Sequence, residues 1–389
     1  MRHGFLADVS ALVLAALVAC TAPAAAPSGA APSAPATAAP ATTAPAVAAA
    51  PTAARSPALQ ALIDAARQEG EIDLVWGEGS LGGREGTKRL MDGLNREYGL
   101  NLDVRFTPGQ SFPEMAARIS QEYQAGRRAT SDVYLGADHH IAGLMASDVL
   151  EAVDWTAWAP HVQDPALVAP GGMAVTFQTW LPGISYNTAR VSGDAVPRRF
   201  QDLLKPEYKG RVATTPYASG FDRLASPELW GKARTLDFAT RLADQLGGLI
   251  RCNETQRIVS GEFEIFALDC NPSNTLRAKA QGAPIEFTPA LDVPVANLVY
   301  LAVPKNAAHP AAGKLFIDYV LSREGQDLLY SMEYMDSHLV PGSHTAQDVD
   351  RLRAGGATLE IFDVARVLSR DEAELADVLP EVQRILAKK

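Results

Sequence analysis

The stretch Gly171–Asn187, GGMAVTFQTWLPGISYN, decides how the chain is read. Met173 to Trp180 is rich in β-branched and aromatic residues, which suit a pleated, buried strand. Gly171-Gly172 breaks the chain before it. Leu181-Pro182-Gly183 interrupts it before Ile184-Ser185-Tyr186-Asn187 resumes an extended path. Strand and helix patterns alternate upstream, and a second such set begins downstream. Pro294–Val303 (PVANLVYLAV) is a matching apolar run, suited to carry the chain back. Two long strands bracketing an inserted α/β unit describe two lobes with a hinge and a cleft. A plain buried strand of one large sheet is the alternative on pattern alone.

Upstream, Ser56–Gly70 has an N-cap candidate, a helical apolar period at Leu59, Leu62, Ile63 and Ala66, and a terminal Gly. Strands are expected at Glu71–Trp76, Asn101–Phe106 and Ser131–Leu135, with helices between them and at His139–Ser147. Such alternation implies parallel pairing, with ligands at the carboxyl ends of the strands. Downstream, strands are expected at Val212–Thr215 and Glu264–Asp269, and helices at Leu236–Leu246, Thr275–Gln281 and Ala311–Ser322. The expected division is residues 56–175 with 300–389 for lobe 1, and 176–299 for lobe 2.

The N-terminus reads as a targeting segment. Val9–Ala19 is almost wholly apolar, too short to span a bilayer and of the length of a signal-peptide core. Leu17-Val18-Ala19-Cys20 resembles a bacterial lipobox, which implies a lipid on Cys20. Thr21–Arg55 holds 18 Ala and 7 Pro in 35 residues, with no charge before Arg55. Frequent Pro forbids a continuous helix, so 21–55 reads as a disordered tether. The chain has 389 residues, 21% of them charged, and a net charge of −10. That length suits two lobes, and the acidic balance argues against nucleic acid.

Three loops share one construction, a strand end, a small-residue turn and a helix start: Gly77–Gly83, Gly136–His140 and Pro216–Asp222. Helix N-termini offer unpaired N–H groups and partial positive charge, which favour oxyanions. Ser80 and Ser219 add hydroxyl donors. Glu78, Asp138 and Asp222 in the same loops favour a metal or an amine, though Asp138 and Asp222 also fit as helix caps. His139-His140 cannot easily share one ion, because adjacent helical residues point about 100° apart. The candidate ligand-binding set is Glu78, Gly79, Ser80, Asp138, His139, Tyr186, Tyr217, Ser219, Gly220 and Asn271. Beside Cys20, the remaining pair Cys252 and Cys270 reads as a disulfide; Cys270 as a nucleophile is the competing reading.

Several segments together resemble a known family. RIVSGEFEIFALD (257–269), KAQGAPIEF (279–287) and AVPKNAAHPAAGKLFIDYVLSREGQDLL (302–329) look like the extracellular solute-binding proteins of ABC importers. GISYNT (183–188) and DLLKPEYKGRV (202–212) are similar to the ferric-iron-binding branch. The resemblance runs over roughly residues 60–385. It implies a two-lobed type 2 periplasmic-binding fold, each lobe a mixed, mostly parallel sheet flanked by helices, with two crossover hinge strands. It further implies a monomeric binding subunit at the cell envelope, without catalysis or cofactor, and the lipobox at Cys20 independently adds the lipid anchor. Its ligand would be a ferric ion, a ferric chelate or a small oxyanion, passed to a permease. Iron-binding members typically use two adjacent tyrosines; here Tyr217 is the one tyrosine in the matching loop, so a ferric set would be Glu78, Asp138 and Tyr217. The alternatives are a binding protein that presents its ligand to a sensor, and a thiaminase-like enzyme using Cys270.

Overall fold

The computed structural model describes residues 55–109, 111–270, 272–369 and 377–388. The signal segment, Cys20, all of the tether but Arg55, and the candidate Asn271 lie outside these residues.

The first lobe starts with α1 (Pro57–Glu69), capped by Ser56, whose hydroxyl accepts the Leu59 N–H at 3.1 Å, and ended by Gly70 at φ 74°. Leu59, Ile63 and Ala66 form its buried face. In β1 (Glu71–Gly77) burial alternates, sinking Ile72, Leu74 and Trp76. Then follow α2 (Gly83–Tyr98), β2 (Asp103–Gly109), α3 (Phe112–Gln124), β3 (Tyr134–Ala137) and α4 (Asp138–Ala146). β1 and β2 pair in parallel.

The crossing segments are β4 (Val175–Trp180) and β5 (Gly183–Asn187). The second lobe adds β6 (Val212–Thr214), α5 (Phe221–Leu224), α6 (Gly231–Gln245), β7 (Leu246–Leu249), α7 (Gln256–Val259), β8 (Ile265–Ala267), α8 (Pro272–Ala280) and β9 (Ile285–Pro289). The return strand is β10 (Val295–Ala302), buried at every position. The tail holds α9 (Pro310–Val320), α10 (Arg323–Glu333), α11 (His344–Ala354), β11 (Glu360–Phe362), α12 (Val364–Ser369) and α13 (Val378–Leu386).

The second-lobe sheet has the order β7-β6-β8-β5-β9, with β6 parallel to β7 and β8, and β5 antiparallel to β8 and β9. In the first lobe β10 pairs antiparallel with both β3 and β4, and parallel with β11. The parallel pairing expected for the third strand therefore does not hold, because the returning strand takes that edge. The chain just before β3 still grips β1 through side chains. Ser131 Oγ accepts the Val75 N–H at 3.0 Å, and the Asp132 carboxylate accepts the Asp73 N–H at 2.7 Å.

Two large apolar cores mark the two lobes. Leu181 belongs to the first and Ile184 to the second; Val295 belongs to the second and Ala296 to the first. The chain thus passes between cores at Leu181–Ile184 and again at Val295–Ala296. One expectation is corrected: residues 300–389 do not all pack on lobe 1. Phe362, Val378, Val382 and Leu386 bury their side chains in the second core, because α13 presents an apolar face that covers α5 and α6.

Candidate functional site

Two cavities lie between the lobes and share Ala137, Trp180 and Cys270 as a common wall. The smaller holds about 210 Å³ and the larger about 460 Å³. The strand-end loops build both, as the rule for open α/β sheets requires.

The first loop leaves β1 and reaches α2 through a tight turn. Gly79 and Ser80 line the larger cavity. Leu81, also on that wall, has φ 51°, a left-handed conformation uncommon for such a side chain. A Cβ on Gly83, at φ 65°, would come within 2.6 Å of the Glu78 carbonyl oxygen, so the loop closes on glycine. Glu78 itself is exposed and lines neither cavity.

The second loop places Asp138 at the start of α4, 1% exposed, on the wall of the smaller cavity. Its Oδ1 accepts the His139 N–H at 2.8 Å and lies 3.1 Å from His139 Nδ1. It also accepts a hydrogen bond from Arg223 Nη2 at 2.8 Å. Its Oδ2 is buried without a hydrogen-bond partner. Burial alone would raise the carboxyl, but the His139 bond and the Arg223 charge outweigh it and hold Asp138 at about 2. His139 lines the same cavity, whereas His140 lines neither and meets Phe112 edge-on at 6.0 Å. Burial, with the neighbouring His139 charge, pushes His140 down to about 4, so it is neutral at pH 7.

The third loop passes through Ala218 at φ 52° and Gly220 at φ 81° into α5. Ser219 and Gly220 line the smaller cavity, and the Ser219 N–H donates to Thr215 Oγ1 at 2.9 Å. Tyr217 turns away from both cavities. Its hydroxyl accepts the Cys252 N–H at 2.9 Å and lies 2.6 Å from Cys252 Sγ. Cys252 and Cys270 form a disulfide with Cα atoms 5.6 Å apart. Tyr217 therefore packs on the bridge, and Cys270 has no thiol to act as a nucleophile. Tyr186 is half-buried and lines neither cavity. Glu78, Asp138 and Tyr217 thus do not share a cavity wall.

Two arginines complete the cleft, and attention to helix N-termini missed both. Arg223, on α5, crosses from the second lobe to Asp138 in the first, with its guanidinium 4.9 Å over the Phe362 ring. The sequence signal was its place one residue beyond the third loop. Arg277, on α8, lines the larger cavity, and its Nη2 donates to the Met332 carbonyl oxygen of α10 at 3.0 Å. Ser273 Oγ also crosses, to the Glu333 carbonyl oxygen. Burial raises the Glu333 carboxyl, which accepts the Gly82 N–H at 3.1 Å. Arg277 lies eight residues past the end of the segment RIVSGEFEIFALD, with nothing local to mark it. These contacts span the cleft, and the Arg366–Glu228 pair at 3.0 Å adds another link between α12 and the second lobe.

Among the described residues, one group of acids and histidine is spaced to hold a metal: Glu71, Asp73 and His309. Glu71 opens β1, at the far end of the strand from the cleft loop.

The profile of the bacterial extracellular solute-binding proteins matches residues 132–354, more than half of the chain. The chain belongs to that family. A solute-binding protein holds its solute without transforming it, which agrees with the disulfide at Cys270. The Fe(3+)-binding periplasmic protein of Serratia marcescens is 29% identical over 154 residues, 38% of this chain and 43% of that protein. The chain spans about half the length of the curated relatives it matches. A substrate-binding protein of an ABC transporter from Agrobacterium tumefaciens is similar in fold (TM-score 0.65, 16% identity), over 82% of this chain and 96% of that one. So is the Trichodesmium protein solved with iron and citrate (TM-score 0.60, 16% identity), over 81% and 99%. These likenesses show the two-lobed periplasmic-binding fold of this solute-binding protein. No helix among the described residues is long and apolar enough to cross a membrane.

Proposed function

We propose that the protein is the lipid-anchored binding subunit of an ABC importer, that it captures a small solute bearing an oxyanion between its lobes, and that it delivers this solute to the permease. The observation that carries the reading is Arg277. Its guanidinium lines the larger cavity, and among the described residues no carboxylate lies within 4.0 Å of it. A half-buried cation in a cavity between lobes, with no carboxylate in contact with its guanidinium and Glu333 only further off on the same wall, favours an anionic guest. The volume of about 460 Å³ suits an organic molecule better than a bare ion. Ser80, on the same wall, supplies a further polar group. Delivery to a permease rests on the family, and the lipid anchor rests on Leu17-Val18-Ala19-Cys20.

A ferric chelate is the second reading. It is favoured by the buried, unpartnered Asp138 Oδ2 on the adjoining cavity, a free carboxylate oxygen fit for a metal, with the chelator's acid groups left for the arginines. The relatives named for iron point the same way. Calorimetric titration of the wild type and Arg277→Gln with organic acids, phosphate and ferric citrate tests both. Binding that Arg277→Gln abolishes supports the proposal; an unchanged Kd in the variant, or binding of a neutral sugar instead, refutes it.

A further inference from the structure

The larger cavity is mostly apolar, and neither a ferric ion nor a bare oxyanion explains that. Phe112 enters from the start of α3, Phe177 and Trp180 from β4, Leu135 from β3, Val299 from β10, and Met335 from beyond α10. Five separate segments thus bring apolar side chains to one space. Phe112, Trp180 and Met335 remain partly exposed, so cavity-facing surface is left for a guest to cover. Covering such surface favours binding in proportion to the apolar area removed from water. A hydrated ion or a polyol filling the same space would lose water without gaining partners along this wall. The polar groups gather instead on one side, where Arg277, Ser273 and Asn274 approach from α8. Asn274 Nδ2 already donates to the Cys252 carbonyl oxygen at 3.2 Å, and Ser273 is taken by the Glu333 carbonyl. Arg277 is left as the group with unspent donors.

We infer that the solute is an amphipathic organic acid, with an aromatic or branched apolar body against Phe112, Phe177, Trp180 and Met335 and its acid group on Arg277. The inference rests on the oxyanion reading above and names the class of molecule that carries the oxyanion. Glu333, on the same wall, is raised by burial, and its Oε1 is occupied by the Gly82 N–H at 3.1 Å. The shared wall at Trp180 leaves the smaller cavity, closed by the Asp138–Arg223 pair, as a neighbouring space for a longer body.

The test is calorimetric titration of the purified chain with phenylacetate, indole-3-acetate and 4-methylpentanoate, set against acetate, citrate and inorganic phosphate. At least one apolar-bodied acid should bind about tenfold or more tighter than acetate, the difference that burying a ring or branched chain makes. Phe112→Ala should weaken that acid about tenfold, and Arg277→Gln should weaken it at least as much. Met335→Gln probes the same wall should Phe112→Ala fail to fold. If citrate or phosphate binds through Arg277 while the apolar-bodied acids do not, this inference falls and the oxyanion reading stands. If no acid of either kind binds, both fall.

Discussion

The Asp138–Arg223 pair yields the sharpest prediction because it joins the lobes and is buried on the cleft wall. Asp138→Asn preserves the shape and can still accept the His139 N–H, but removes the charge that faces Arg223. The side chains are 1% and 17% exposed, so solvent screens the pair little. A carboxyl held at about 2 instead of its ordinary 3.8 corresponds to about 2 kcal/mol of stabilisation at neutral pH. Breaking a buried pair, with the Arg223 charge left uncompensated, raises the expected loss towards about 3 kcal/mol. Over this length of folded chain that is a fall of about 3–5 °C in Tm. Because the partners sit in different lobes, the closed form should also lose roughly tenfold or more of its advantage over an open one. The sign with pH is fixed. The folded carboxyl is depressed, so its contribution is complete above the unfolded value of 3.8 and disappears as pH falls to about 2. The Tm difference between wild type and variant should therefore be full at pH 7 and vanish near pH 2. Differential scanning calorimetry reads the first effect, and small-angle X-ray scattering at pH 7 reads the second as a larger radius of gyration. Identical Tm and identical scattering at pH 7 would refute the claim that this pair holds the lobes together.

Other expectations are simpler. The purified oxidised protein should show no titratable thiol at Cys252 or Cys270, and reduction should lower stability by about 3 kcal/mol, as expected for a loop of this size; two readily alkylated thiols in the native state would contradict the bridge. Tyr217→Phe should leave solute affinity unchanged while removing about 1 kcal/mol of stability with the Cys252 N–H bond. A variant that binds its solute tenfold more weakly would return Tyr217 to the site. Cys20→Ala should move the protein from the membrane fraction to the soluble exported fraction, since stable attachment needs the lipid; retention at the membrane is the opposing result.

Much of the architecture was legible because it rests on local chemistry. The apolar run before Trp180, the Leu181-Pro182-Gly183 interruption and the return run at Val295–Ala302 mark the passages between cores, and periodicity reports burial directly. The three strand–turn–helix loops were legible for the same reason, and residues from each line the cleft: Gly79 and Ser80, Asp138 and His139, Ser219 and Gly220. What escaped depends on partners far apart in sequence. β3 lies antiparallel to a strand more than 150 residues later, and the last helix turns to the second core; neither carries a local mark. Arg223 meets Asp138 across 85 residues, and Arg277 meets Met332 across 55. Tyr217 stood in the right loop, but its orientation follows from Ala218 at φ 52° and from the disulfide beside it, which composition does not encode.

The most direct test of the central claim is native mass spectrometry of the protein isolated from the organism that makes it, compared with Arg277→Gln prepared in the same way. The account predicts a small acid bound one to one in the wild type and missing from the variant. A neutral sugar or a polyamine bound equally to both would contradict it.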